Sequence, residues 1–218
     1  MKRTATLIGA TGLIGGHLLD ILRTDVSFEK INLIVRRPLD IDYPNVTVKV
    51  IDFNNQDQFR KALENTEVFF CAIGTTRKKV NNDKNAYRKI DYDIPIHAAT
   101  ISKELGCSQF VIVSSVGADS SKKNFYLRFK GEVEDRLREL NFPSLLIFRP
   151  SLLLGKRSEK RLWENEGQSV MKAISFLLPQ RYKPVQAAQV ARAMVEAAKK
   201  YPPGVNIYYY REIMNNQS

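Results

Sequence analysis

The chain has 218 residues, 44% of them hydrophobic, and carries a formal net charge of +11. That length fits one large α/β domain with a substantial core, and no apolar run approaches the roughly 20 residues of a membrane span, so no membrane association is expected. The positive charge meets an electrostatic criterion for nucleic-acid binding. No zinc-finger spacing, aromatic RNP run or long block of like charge accompanies it, so a solvated basic surface is expected and nucleic acid is not.

The predicted elements alternate strand and helix in chain order. Ala5-Thr-Leu-Ile8 reads as a strand and Leu13 to Leu22 as a helix, with a glycine-rich turn between them. The run after Lys2 and Arg3 is broken by those glycines, so it is a strand and not a secretory leader. Strands at Ile31 to Val35 and Val46 to Ile51 follow, then a helix at about Gln56 to Glu64 and a strand at Val68 to Ile73. A long helix is expected over Asn85 to Leu105, a strand over Gln109 to Ser114, an amphipathic helix over Tyr126 to Leu140 and a strand over Leu145 to Phe148. Helices near Val170 to Leu177 and Ala187 to Lys199 and a last strand, Asn206 to Tyr210, complete the chain. The strands are continuously apolar, as strands covered on both faces must be. The expected fold is a Rossmann-type doubly wound α/β parallel sheet in one domain, 1–218, with a cofactor-binding core over 1–150 and a substrate-side C-terminal extension over 151–218.

Gly9 and Gly12 stand in the turn after the first strand and Gly15 at the start of the helix that follows. In this position glycines permit the tight turn, the approach of backbone N–H groups to a pyrophosphate and close helix packing, with the helix N-terminus facing the phosphates. A dinucleotide is therefore expected. Its kind is set at the end of the second strand, where an NAD enzyme would carry Asp or Glu to hold the ribose 2′-hydroxyl. Arg36 and Arg37 stand there instead, and guanidinium groups suit a 2′-phosphate, so NADP(H) is favoured. Asp52, ending the third strand, could accept from the adenine amino group or act in the helix N-cap region.

Tyr126 and Lys130 are four apart on a predicted helix, so the ammonium can lower the phenol pKa from about 10 and also reach ribose hydroxyls. The preceding strand runs into Ser114-Ser115, whose hydroxyls could polarise a carbonyl or turn back onto their own backbone. Arg77-Lys-Lys79, Lys122-Lys123, Lys156, Arg157, Lys160 and Arg161 follow strands at the sheet's C-terminal edge, where a small-molecule substrate is expected. These charges read equally as a basic rim that draws an anionic substrate or as loops that splay outward with solvated charges. Trp163 reads equally as a substrate wall or a core anchor. His17 and His97 have no partners at ligand spacing, so no metal is expected. Cys71 and Cys107 read as reduced thiols and point to a cytoplasmic protein.

Together with Phe148-Arg-Pro-Ser-Leu-Leu-Leu-Gly155, these motifs resemble the short-chain dehydrogenase/reductase superfamily in its extended or atypical branch. Phe70-Cys-Ala-Ile-Gly-Thr-Thr-Arg77, Ser114-Ser-Val-Gly-Ala-Asp119 and Tyr126-Leu-Arg-Phe-Lys-Gly-Glu-Val-Glu134 are similar to the HIV Tat-interacting tumour-suppressor proteins, NADPH-binding members of that branch. The resemblance implies an oxidoreductase site with Tyr126 as acid/base and Lys130 on the nicotinamide ribose. It also implies cofactor contacts from Thr11, Gly12, Leu13, Ile14, Arg36, Arg37, Ile73, Gly74, Leu153 and Arg161. The interval from Ser115 to Tyr126 is shorter than in many relatives, which leaves the serines' role open. Hydride transfer to or from a small carbonyl or alcohol is the first reading of function. A non-catalytic NADP(H)-binding sensor or regulatory protein is the second.

Overall fold

Continuously apolar strands separated by amphipathic helices must cover both faces of one sheet, and the computed structural model, which describes residues 2–155 and 179–217, has this form. Strands β1 (Arg3–Ile8), β2 (Phe28–Val35), β3 (Val46–Val50), β4 (Val68–Cys71), β5 (Gln109–Val113) and β6 (Ser144–Phe148) belong to a seven-stranded sheet. A late strand, β9 (Gly204–Tyr208), completes it, and the order is β3-β2-β1-β4-β5-β6-β9 with every neighbouring pair parallel. Two short strands, β7 (Leu153–Leu154) and β8 (Val185–Gln186), pair separately.

Alternate side chains of each strand go to opposite faces. Leu7 and Phe70 join the core under helices α1 (Leu13–Leu22) and α6 (Ala187–Lys200). Ile8, Phe69 and Cys71 join the core under α2 (Gln56–Leu63), α4 (Ile94–Glu104) and α5 (Phe125–Glu139). Strand order reverses between β1 and β4, which opens a crevice at their C-terminal ends.

Two expectations are corrected. The helix predicted over Asn85 to Leu105 is not uniform: it runs without a gap as α3 (Lys84–Arg88), a π turn (Lys89–Asp93) and α4, and a separate 3-10 turn (Arg77–Val80) precedes it. Pro95 is the cause: it has no N–H to give to the carbonyl four residues back. The ladder is taken up one register wider, with the Ile94 N–H donating to the Lys89 carbonyl five residues back. The last strand stops at Tyr208, because the Glu212 carboxylate accepts from the Tyr209 N–H and starts α7 (Tyr210–Asn215). The helix expected over Val170 to Leu177 lies outside the described residues.

The first turn of α1 touches the loop that precedes it. A Cβ on Gly15 would stand 2.0 Å from the Gly9 carbonyl oxygen, whereas one on Gly16 would meet nothing nearer than 3.7 Å. Replacing glycine by alanine inside a helix ordinarily stabilises by about 0.5–1 kcal/mol. Gly16→Ala should keep that sign, and Gly15→Ala should reverse it, with a loss of about 1–3 kcal/mol from forced separation of helix and turn. Urea denaturation of the two variants checks this; equal midpoints would contradict it.

Candidate functional site

The crevice is a cavity of about 900 Å³ at the C-terminal ends of β1, β2 and β4. Gly9, Thr11, Gly12, Leu13, Arg36, Arg37, Ile73 and Gly74 all line it. Gly9 holds φ +92°, and a Cβ there would stand 2.6 Å from the backbone of Ala72, so only glycine lets β1 and β4 end this close together. The N-cap of α1 is Gly12, which has no side chain to cap the helix, and the first turn carries no acid. Its free N–H groups and partial positive charge therefore face the cavity ready for an anion. Ile14 is in the core, so only its backbone is left for a ligand, and Gly15 serves the packing of α1 and not the cavity wall.

Arg36 and Arg37 are exposed where β2 ends, and neither makes an ion pair with a described residue. Asp52 borders an adjoining depression of about 560 Å³ beside Arg36, Phe53 and Ile90. Its Oδ1 accepts from the backbone and side-chain amides of Asn54, at 3.0 and 2.8 Å. The N-cap of α2 is Asn55, whose side chain accepts from the Gln58 N–H, so Asp52 is not that cap. Leu153 sits half-buried in the β7–β8 ladder. Lys156, Arg157, Lys160, Arg161 and Trp163 lie outside the described residues. Of the other basic residues, Lys79 lines the cavity, and Lys122 pairs with Asp119 at 3.8 Å.

Tyr126 and Lys130 occupy one face of α5, Tyr126 37% exposed and Lys130 buried. A Cβ on Gly131 would lie 2.2 Å from the Ser120 N, so this glycine lets α5 press onto the loop after β5. The Asp119 N–H donates to the Leu127 carbonyl across the same contact. Lys130 Nζ pairs at 3.3 Å with Asp91 Oδ1, from the π turn, and the other Asp91 oxygen accepts from the Thr75 N–H at 2.8 Å. Thr75 and Ile90 line the cavity, so this pair stands directly behind its wall. Burial works against the Lys130 charge, but Asp91, with Tyr126 and Cys71 adding to it, holds the lysine pKa above its ordinary value. Burial pushes the Cys71 thiol up to about 12, so it is inert at neutral pH.

The two serines separate. Ser114 is buried and its hydroxyl donates to Glu134 at 2.5 Å, while among the described residues the Ser115 hydroxyl reaches only the Val116 carbonyl, at 3.4 Å. Glu134 is fully buried and also accepts two bonds from Arg149, at 2.9 and 2.6 Å, and one from Arg138 at 3.0 Å. Arg149 in turn donates to the Tyr209 hydroxyl. Ser114 is thus committed to a charged network, and of the two serines Ser115 is the freer donor. Asp91, Glu134 and Gly131 escaped the sequence reading. Asp91 stands two residues before a second acid, Asp93, in a segment that also carries Lys84, Arg88 and Lys89, so nothing local set it apart.

The cradle, the uncapped helix and the exposed arginines fit a dinucleotide, and the comparisons with known proteins agree. Residues 9–200 match the NAD(P)H-binding family. The chain belongs to that family of Rossmann-type, oxidoreductase-like proteins and binds NAD(P)(H). It is 38% identical over 163 residues to protein HTATIP2 of Rattus norvegicus, covering 73% of this chain and 66% of that protein. It is 32% identical over 228 aligned positions to protein FMP52-1, mitochondrial, of Scheffersomyces stipitis, covering 96% of each. Among solved structures, a UDP-N-acetylglucosamine 4-epimerase from Methanobrevibacter ruminantium M1 has a TM-score of 0.73 at 16% identity, covering 96% of this chain and 77% of that one. MoeE5 in complex with UDP-glucose and NAD has a TM-score of 0.71 at 14% identity, covering 97% and 80%. These two share the fold.

The relatives named mitochondrial overturn the expectation of a cytoplasmic protein. Cys71 and Cys107 are free and buried, but such thiols report only reducing surroundings and do not tell one compartment from another.

The Glu134 network yields a stability prediction. Glu134→Gln leaves Arg149 without its countercharge and should cost about 3 kcal/mol or more. Ser114→Ala removes one bond to a charged acceptor and should cost about 1.5–3 kcal/mol. Urea unfolding measures both; a Ser114→Ala protein as stable as the parent would show the bond to be unimportant.

Proposed function

We propose that the protein is an NADPH-dependent oxidoreductase that interconverts a small carbonyl compound and its alcohol, with Tyr126 as acid/base and Lys130 on the cofactor ribose. The observation that carries the proposal is the placement of Lys130, buried behind the cavity wall and on the same helix face as Tyr126. Gly9, Gly12 and the first turn of α1 would hold the pyrophosphate, and Arg36 and Arg37 the 2′-phosphate. NADPH, when bound, supplies the hydride that reduces a carbonyl carbon. The phenol of Tyr126 gives its proton to the carbonyl oxygen, and Ser115 donates a hydrogen bond to the same oxygen. Lys130 has three N–H donors and Asp91 occupies one, so two remain for ribose hydroxyls.

Two measurements test this. In calorimetry NADPH should bind more tightly than NADH, and Arg36→Ala should weaken NADPH by about 1.5–3 kcal/mol while leaving NADH nearly unchanged. Equal affinities in the parent protein would remove the arginines from cofactor selection. In a carbonyl-reduction assay Tyr126→Phe should lower the rate by about 10² to 10⁴ with NADPH affinity intact, and an undiminished rate would rule out Tyr126 as the acid.

A further inference from the structure

An ammonium beside a phenol favours the phenolate, because it stabilises the charge that appears when the proton leaves. In this protein the ammonium is not alone. Asp91 sits 3.3 Å from Lys130 with side-chain exposures of 2% and 10%, so the charges face each other away from bulk water. A carboxylate placed there offsets the ammonium as seen from Tyr126.

Resting on the reading of Tyr126 as the acid, we propose that Asp91 is a positioning residue that neutralises Lys130 and keeps Tyr126 a proton-donating phenol, fitting the site to carbonyl reduction rather than alcohol oxidation. Reduction needs a phenol that gives its proton to the nascent alkoxide. Oxidation needs a phenolate that takes one from the alcohol.

The carboxylate is fixed on every side. Pro95 forces the π turn that carries Asp91, and the Thr75 N–H holds its second oxygen at 2.8 Å. Tyr87, from α3, packs its ring on Phe125 and Phe129 of α5, at 5.4 and 6.1 Å, the residues immediately before Tyr126 and Lys130. Its buried hydroxyl has no hydrogen-bond partner among the described residues, and burial followed by Asp91 keeps it protonated. The groups that act on Lys130 are therefore Asp91 from the π turn, the neutral Cys71 thiol from β4 and Tyr126 on α5 itself, with Tyr87 behind Asp91. The nearby α5 acids point elsewhere: Glu132 pairs with Arg88 and Arg128, and Glu134 with Arg138 and Arg149.

The test is a pH titration of protein labelled with [13C-ζ]tyrosine, in complex with NADP+, the Tyr126 resonance being the one lost in Tyr126→Phe. Asp91→Asn retains an acceptor for the Thr75 N–H and should move the Tyr126 midpoint down by about 1 pH unit or more. Asp91→Glu, which restores the charge, should bring it back toward the parent value. A midpoint unchanged in a folded, NADP+-binding Asp91→Asn protein would overturn the proposal. Should Asp91→Asn fail to fold, Asp91→Asn/Lys130→Met removes both charges. Its midpoint should match the parent, and a raised midpoint would mean that Asp91 was never offsetting Lys130. In turnover, Asp91→Asn should shift the alkaline limb of carbonyl reduction to lower pH by the same amount. The titration needs no substrate, so undiminished reduction by Tyr126→Phe would defeat the acid/base reading while the midpoints still decide what Asp91 does.

Discussion

Everything at the site depends on how closely three backbone segments meet where β1 ends. Gly9 stands against Ala72 at the end of β4, and Gly15 of α1 stands against Gly9, each with no room for a Cβ. This contact brings the N-terminus of α1 to the sheet's edge and points its unpaired N–H groups into the crevice. It also places Ile73, Gly74 and Thr75 along the opposite wall. From there the Thr75 N–H reaches Asp91, and Asp91 reaches Lys130. A side chain at the first contact would shift each later one.

Two buried carboxylates divide the work around α5. Glu134 gathers Arg149, Arg138 and Ser114, and through Arg149 it ties the end of β6 to Tyr209 ahead of the last helix. That network is structural: it fixes the loop after β5 against α5 and removes Ser114 from the chemistry. Asp91 meets the same helix at Lys130, one turn from Tyr126, the proposed proton donor. A fully buried carboxylate is tolerated only when paired and hydrogen-bonded, and both acids meet that condition. They differ in place: the Asp91–Lys130 pair adjoins Thr75 and Ile90 of the cavity wall, whereas Glu134 gathers groups at the ends of β5 and β6.

The strands and most helices were legible because continuous apolar runs and helical periodicity are local signals. The glycine turn and the arginines after β2 were legible because their roles depend on position relative to a strand. The π turn ahead of Pro95 was visible in principle, yet periodicity showed only a uniform helix. Asp91 and Glu134 were hidden for another reason. Their partners, Lys130 and Arg149, lie 39 and 15 residues away in sequence, and only folding brings them together. Ser114 and Ser115 look alike in sequence because strand alternation, which sends one inward to Glu134, acts through the third dimension. The late helix at Tyr210–Asn215 was missed because three consecutive tyrosines read as strand.

The central claim is that the crevice seats NADPH with its reactive end beside Tyr126. A crystal structure of the NADPH complex tests it most directly. The account predicts the pyrophosphate on the N–H groups of α1, the 2′-phosphate between Arg36 and Arg37, and the nicotinamide ring adjoining the Tyr126 hydroxyl, with Lys130 on its ribose. A nicotinamide turned away from Tyr126, with Lys130 touching no part of the cofactor, would contradict it.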